Sequence, residues 1–260
     1  MPKQSASPLV IFVHIPRAGG TSAWRALRKI YRDRLRRVTG LGTEGTYEKL
    51  REILLTASYD YDLVGGHVPY GMHRFTTRPC SYITVLRDPT DIILSLYFRR
   101  HQPEIWMRKR LRKTGQAAPN RLPPLPDRPI VETVRKLRGN PMIRLLCGVD
   151  DDWGRPQGRC TRDHLEHAKH NLQEHFSAIA FVESYQESMQ AMAGALGWKS
   201  VPTVEKRNSG RSRPARYPAE VYEAGREVNA LDYELYDFAR SLERERLRRN
   251  KLARSAPSMG

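Results

Sequence analysis

Cysteine is scarce in this chain: Cys80, Cys147 and Cys160 are the only three among 260 residues, an odd number at wide spacing with no CxxC pair. That argues against a disulfide scaffold and against a zinc site, and it favours a reducing compartment. Long apolar runs are missing too. No stretch of eighteen apolar residues occurs and no basic-then-apolar leader opens the chain, so neither a membrane span nor a signal peptide is expected, and a cytoplasmic protein is. No GxxxxGK[ST] sequence occurs and no acidic strand end suited to Mg²⁺ stands out, which sets aside a P-loop kinase or NTPase. Internal repeats are absent. Acidic residues are in deficit, 28 against 45 lysines and arginines, for a net charge of +17. The excess calls for an anionic partner without choosing among a nucleotide, an acidic glycan, nucleic acid and a membrane surface. No recognition motif or aromatic-basic interleaving marks a nucleic-acid binder, so no specific nucleic-acid partner is expected.

What is present is organised around residues 9–24, LVIFVHIPRAGGTSAW. Leu9, Val10, Ile11, Phe12 and Val13 form a continuous, β-branched apolar run, the pattern of an inner parallel strand covered on both faces. Pro16 cannot donate to a ladder, so the strand ends near it. Gly19 and Gly20 allow positive φ and close approach of a ligand, and Thr21 or Ser22 is placed to cap a following helix. The N-terminus of such a helix attracts anions, and the planar fork of Arg17 adds charge-assisted bonds to phosphate or sulfate oxygens.

A second stretch, residues 81–98, SYITVLRDPTDIILSLYF, repeats the theme. A strand over Tyr82–Leu86 ends at Arg87-Asp88-Pro89, and a helix carrying Ile92, Ile93, Leu96 and Tyr97 follows. Ser95 lies about two helical turns beyond Arg87, so the two side chains can converge on one phosphate. Asp88 reads as structural, fixing the turn before Pro89. Together, HIPRAGGTS and VLRDPTDIILSLY resemble the 5′-phosphosulfate and 3′-phosphate signatures of sulfotransferases that use 3′-phosphoadenosine 5′-phosphosulfate (PAPS). The branch most similar is that of the heparan sulfate 2-O- and related glycan sulfotransferases. Gly66-His67-Val68-Pro69-Tyr70, which precedes the second stretch, resembles the GHV segment of that branch, and the run from His164 to Leu172 leading into Phe181-Val182-Glu183 and residues 229–239 resemble its later helix and strand and its closing helix, in the same order.

The resemblance implies a PAPS-dependent O-sulfotransferase whose acceptor is a carbohydrate or glycan hydroxyl, with no metal. His67 is the implied base, and a histidine near pKa 6.5 suits proton removal from a hydroxyl. Arg17, Ala18, Gly19, Gly20, Thr21 and Ser22 are implied to surround the 5′-phosphosulfate, with Arg17 also acting at the leaving group. Arg87 and Ser95 are implied to hold the 3′-phosphate, with Ser209, Arg211 or Arg213 closing over the nucleotide. His14, His73 and Arg74 are the expected acceptor contacts, His73 also being the reserve base. Three positions depart from the branch. Arg17 stands where lysine is usual, although sulfotransferases acting on protein tyrosine place arginine there; Gly65 replaces a second histidine; His14 replaces an arginine that helps hold the acidic glycan. The alternatives are therefore a catalytically inactive nucleotide-binding scaffold, or sulfation of protein tyrosine, a lipid or a small metabolite.

The whole chain, 1–260, is expected to be one α/β domain with a central parallel sheet and helices on both faces, a P-loop-like nucleotide-binding fold. A first helix is expected from Thr21 to about Arg37, then a turn at Gly40-Leu41-Gly42 and a second helix carrying Tyr47, Leu50, Ile53 and Leu54. A short strand over Tyr61–Val64 is expected to end at Gly65-Gly66-His67. Residues 101–129 read as a basic, proline-rich loop, either a solvated linker or an acceptor-binding lid. Helices follow over Val131–Leu137, Met142–Leu146 and Thr161–Phe176, then a strand over Ile179–Val182 and a helix through Met189 and Leu196. Residues 206–216 read as a basic, flexible segment. The final helix, Leu231–Leu247, runs into a basic tail at about 248–260.

Overall fold

A computed structural model describes residues 7–41, 44–101, 130–148, 158–201 and 217–255. At its centre β1 (Leu9–Val13) is buried along its whole length. It pairs in parallel with β3 (Leu63–His67) on one side and β4 (Cys80–Leu86) on the other, Val13 standing level with Gly66 and Thr84. The edges are β2 (Leu35–Leu41) beyond β3 and β5 (Phe176–Phe181) beyond β4, giving a five-stranded parallel sheet of order β2-β3-β1-β4-β5.

Helices cover both faces, as strands apolar on both sides require. Val10 and Phe12 pack with Ala23, Trp24 and Leu27 of α1 (Gly20–Tyr31), together with Met189 and Met192 from a helix after β5. Leu9, Ile11, Val13 and Ile15 face the opposite layer. There they meet Leu50 and Leu54 of α2 (Glu44–Thr56), and side chains from α5 (Ile143–Leu146), α6 (Arg162–Glu174) and α9 (Ala230–Ser255). A third cluster joins α3 (Pro89–His101), α4 (Ile130–Arg135) and α8 (Ala219–Val228). The helix after β5, α7, spans Tyr185–Leu196. The chain leaves β1 toward β2 on one side and leaves β4 toward β5 on the other. The carboxyl ends of β1 and β4 therefore flank a topological switch point, where ligands bind in such sheets.

The expected helix over 21–37 is corrected. It stops at Tyr31; Arg32 takes φ +50°, a 3₁₀ turn covers Arg32–Arg34, and Leu35 begins β2. Tyr31 and Leu35 keep helical spacing and arginine favours helix, so local preference pointed the wrong way. Tertiary contacts win: the Arg34 guanidinium holds both oxygens of Asp62 at 2.6 and 2.8 Å, just before β3. Gly40 and Leu41, expected in a turn, lie inside β2. The strand expected over 61–64 instead runs through its glycines, because a Cβ at Gly65 would lie 2.3 Å from the Phe12 carbonyl oxygen and one at Gly66 equally close to that of Val38. No histidine fits at position 65 against this backbone. The expected 101–129 loop, beyond residue 101, and the 206–216 segment fall outside the described residues; the tail expected from about 248 is corrected, because α9 continues through it to Ser255, and 256–260 lie outside the described residues. Helix α8 was missed, although Val221, Ala224, Gly225 and Val228 carry its spacing.

A buried polar buckle fixes α9 against α5. Asp232, fully buried, accepts the Met142 and Ile143 N–H groups at 2.9 Å each, one per carboxylate oxygen. Asn140 Oδ1 accepts the Asp232 N–H at 3.0 Å, and Asn229 Oδ1 accepts that of Asn140 at 2.9 Å. Replacing Asp232 by asparagine turns one acceptor into a donor facing an N–H. The expected loss of stability is about 2–4 kcal/mol, read as a lower urea midpoint at unchanged m-value.

Candidate functional site

Between β1 and α1 the chain turns sharply. Arg17 and Gly19 have φ of +70° and +68°. Positive φ at a non-glycine residue costs of order 1–3 kcal/mol and concentrates at functional loops. Side chains from α3 and from just after β4 brace it: Arg17 Nε donates to Ser95 Oγ at 2.5 Å, and Arg87 Nη1 donates to the Arg17 carbonyl at 3.3 Å. Ala18 is fully buried and anchors the loop in the core. Gly19 sits where a Cβ would lie 2.9 Å from Val182 Cγ2.

The helix begins one residue earlier than expected, with Gly19 rather than Thr21 or Ser22 as its N-cap. No side-chain cap bond closes this N-terminus and no acidic residue lies in the first turn. The first N–H groups of a helix have no intrahelical acceptor. The amides of Gly20 and Thr21 thus gather at the positive end of a helix dipole, beside the Arg17 loop, while that of Ser22 already donates to the Gly19 carbonyl at 3.0 Å.

Arg87 ends β4. Its Nη2 and Nε donate to Asp91 Oδ2 at 2.6 and 3.2 Å, while Nη1 reaches the Arg17 carbonyl. Asp88 acts as the turn-fixing residue expected: its Oδ1 accepts the Asp91 N–H at 3.0 Å, and its own N–H donates to Glu183 Oε1 at 3.0 Å. Burial pushes the Asp88 carboxyl above its ordinary range. Arg17, Arg87 and Ser95, up to 78 residues apart in the chain, form one connected group.

His67 ends β3, one strand over from β1. Its Nδ1 lies 2.8 Å from the His14 carbonyl oxygen. A carbonyl only accepts, so Nδ1 carries the proton and Nε2 is the basic nitrogen of the neutral ring. The ring stacks on that of His14, centroids 4.2 Å apart and planes 24° from parallel. His14 itself is 7 % exposed, and Trp24 Nε1–H donates to its Nδ1 at 3.1 Å. A Cβ on Gly20 would fall 1.5 Å from His14 Nε2, so the second glycine also makes room for this ring. Burial, then the neighbouring His67 and Arg37, push His14 down to about 3.

Arg37 is a neighbour that the sequence reading missed by placing it on a helix. On β2 it stands level with Gly65, and its guanidinium lies 5.2 Å from the centroid of the Trp24 indole. Burial and then Arg28 lower its pKa. Leu35 and Val38 flank two exposed arginines, so no period-two pattern marks a strand there. The β2, β3, β1 and β4 order sets Arg37, His67, Arg17 and Arg87 on or just beyond a row of neighbouring strands, with Arg37 level with Gly65 and so two positions short of His67.

His73 and Arg74 are not brought to this row. His73 Nδ1 lies 2.8 Å from the Tyr82 hydroxyl, and Arg74 Nη2 donates to the Tyr47 hydroxyl at 2.8 Å, in the core layer on the opposite sheet face from Phe12 and Trp24. His14, expected to contact an acceptor, is instead buried beneath His67. Ser209, Arg211 and Arg213 lie outside the described residues. Burial pushes the Cys80 and Cys160 thiols up to about 11, leaving both poor nucleophiles.

The His14 environment makes stability pH-dependent. An ordinary histidine titrates near 6.5 and the folded one at about 3, so the unfolded chain binds the extra proton between these values. The stability tied to neutral His14 is complete above pH 6.5 and is lost as pH falls toward 3, by up to about 1.4 kcal/mol per unit. His73, also lowered by burial, acts in the same direction. Denaturant midpoints measured from pH 7 to pH 4 should fall, and His14→Gln should flatten that slope.

No protein-family model matches the chain, and no curated protein is significantly similar to it. Among solved structures it is similar to mouse sulfotransferase SULT7A1 complexed with PAP, at TM-score 0.40 and 14 % identity, over 85 % of this chain and 64 % of that one. The chain thus spans less than two thirds of that protein, and a likeness of this size carries no argument about chemistry. Among the described residues no helix is long and apolar enough to cross a membrane.

Proposed function

We propose that this protein is a PAPS-dependent O-sulfotransferase that moves a sulfuryl group to an acceptor hydroxyl on a carbohydrate or glycan. The observation that carries the reading is the meeting of Arg17, Arg87 and Ser95 at the switch point beside an uncapped helix N-terminus, with His67 one strand away. Two cationic forks and a row of amides suit a doubly anionic nucleotide: the Arg17 loop and helix start take the 5′-phosphosulfate, and Arg87 takes the 3′-phosphate. Ser95 joins Arg87 on that phosphate by exchanging its bond to Arg17.

In the reaction, Nε2 of His67 takes the hydroxyl proton as the acceptor oxygen attacks sulfur. The bond from sulfur to the bridging phosphate oxygen breaks, and the charge returning to the 5′-phosphate is stabilised by Arg17 and the helix amides. Arginine stays protonated, so Arg17 stabilises that charge without giving up a proton.

The experiment is transfer of ³⁵S from labelled PAPS to a panel of glycan, phenol, lipid and small-metabolite acceptors, with release of adenosine 3′,5′-bisphosphate followed in parallel. A labelled sugar product supports the reading; label on phenol, lipid or metabolite alone keeps the reaction and moves the acceptor. A second reading, a nucleotide-binding scaffold, is favoured by the Arg17–Ser95 bond, which engages two of the proposed nucleotide contacts with each other. Tight nucleotide binding without turnover on any acceptor would select it, and preference for ATP would point to a kinase.

A further inference from the structure

His67 does not stand alone on its strand. Beneath it lies a column built by three elements: the His67 ring from β3 rests on His14 from the end of β1, and His14 is pinned by the indole N–H of Trp24 from α1. Phe12 closes the column from below, its ring stacked 5.5 Å from that of His14 at 20°. The backbone of His14 also takes part, since its carbonyl receives the His67 Nδ1–H at 2.8 Å. One residue therefore supports the ring from beneath and sets its tautomer from the side.

The hydrogen-bond polarity has a consequence. Nδ1 of His14 accepts from the Trp24 indole, which only donates, so that nitrogen carries no proton and the ring is neutral with its hydrogen on Nε2. A second proton on His14 would displace the indole and set a cation 4.2 Å from His67, with the Arg37 guanidinium already alongside. The charged or titratable groups facing His14 are His67 on β3 and Arg37 on β2; α1 presents the neutral Trp24.

We infer that Trp24 and His14 are a positioning pair for His67: the indole N–H fixes the tautomer and plane of His14, and His14 supports the His67 ring from beneath while its carbonyl holds His67 as the Nδ1–H tautomer with Nε2 as its basic nitrogen. The pair takes no proton from the acceptor. Its value rests on the reading of His67 as the base, but its existence is measurable without any acceptor.

The test uses full-length protein, labelled with ¹⁵N and observed through the histidine side-chain nitrogens. In the wild type, His14 should stay neutral with the proton on Nε2 from pH 8 to pH 5, while His67 titrates from the Nδ1–H form. Trp24→Phe keeps a ring and removes the donor. His14 should stay neutral, because burial, His67 and Arg37 still disfavour its charge, but it should lose its single Nε2–H tautomer, and the His67 ring-nitrogen shifts should move with the loosened ring beneath. His14→Gln serves as the second variant, because its amide oxygen still accepts from Trp24 while the ring beneath His67 is gone; His67 should then keep the Nδ1–H tautomer set by the backbone carbonyl of residue 14, while its ring-nitrogen shifts move with the loss of the stacked ring. Where turnover is measured, Trp24→Phe should lower kcat about 10- to 100-fold with little change in the KM for PAPS. A single Nε2–H tautomer of His14 kept in Trp24→Phe, with the His67 ring-nitrogen shifts unmoved in both variants, would overturn the inference. Loss of the column with His67→Ala still active would instead retain the inference and remove His67 as base.

Discussion

His67→Ala is expected to lower sulfuryl transfer by about 10²- to 10⁴-fold, the usual worth of a positioned general base. Adenosine 3′,5′-bisphosphate should still bind within about twofold of wild type, because the phosphate contacts proposed for Arg17, Arg87 and the α1 amides lie on β1 and β4 rather than β3. His67→Gln should be nearly as inactive, since its amide nitrogen has no lone pair to receive the proton, although the side chain can still donate to the His14 carbonyl. Rate and affinity measured on the same preparations separate the two functions. Near-normal turnover in the alanine variant would remove the base assignment while leaving the nucleotide site untouched.

Arg87→Ala should act in the opposite way. Loss of a charge-assisted contact of about 1.5–3 kcal/mol predicts roughly 10- to 150-fold weaker binding of adenosine 3′,5′-bisphosphate by calorimetry. Adenosine 5′-phosphosulfate, which lacks the 3′-phosphate, isolates the cause: its affinity should fall much less. Some loss is expected even there, because Arg87 Nη1 also braces the Arg17 carbonyl at the strained residue of the loop. Equal loss for both nucleotides would mean that Arg87 supports the loop and does not read the 3′-phosphate. Asp91 must share the guanidinium with any phosphate, since it already holds Nε and Nη2. Asp91→Asn is accordingly expected to strengthen binding of the 3′-phosphate nucleotide, which the same titration checks.

Several elements could be read before any coordinates because their signals are local. Leu9–Val13 is apolar without interruption, Pro16 and the glycines end it, and Asp88-Pro89 starts a helix by placing a carboxylate over its first amides. Helix α6 follows from the spacing of Leu165, Ala168 and Leu172. Strand β2 was hidden because an edge strand tolerates charge, and Arg36-Arg37 in an arginine-rich stretch looks helical until Arg34 meets Asp62. The place of His14 was hidden for a related reason. Nothing in HIPRAGG says that the ring turns inward under His67, since that depends on the indole of Trp24 and on the space left by Gly20.

The chain by itself determined a parallel α/β domain and three loop-end residues, Arg17, His67 and Arg87, because strand ends and helix starts are set by neighbours a few positions away. The tertiary structure decided which of the nominated residues stand together. It joined Arg17 to Ser95 and Arg87, added Arg37, sank His14 into a support, and left His73 and Arg74 in the other layer. Those outcomes depend on strand order, register and the face each side chain takes, which arise from contacts between residues far apart in sequence and leave no local pattern to read.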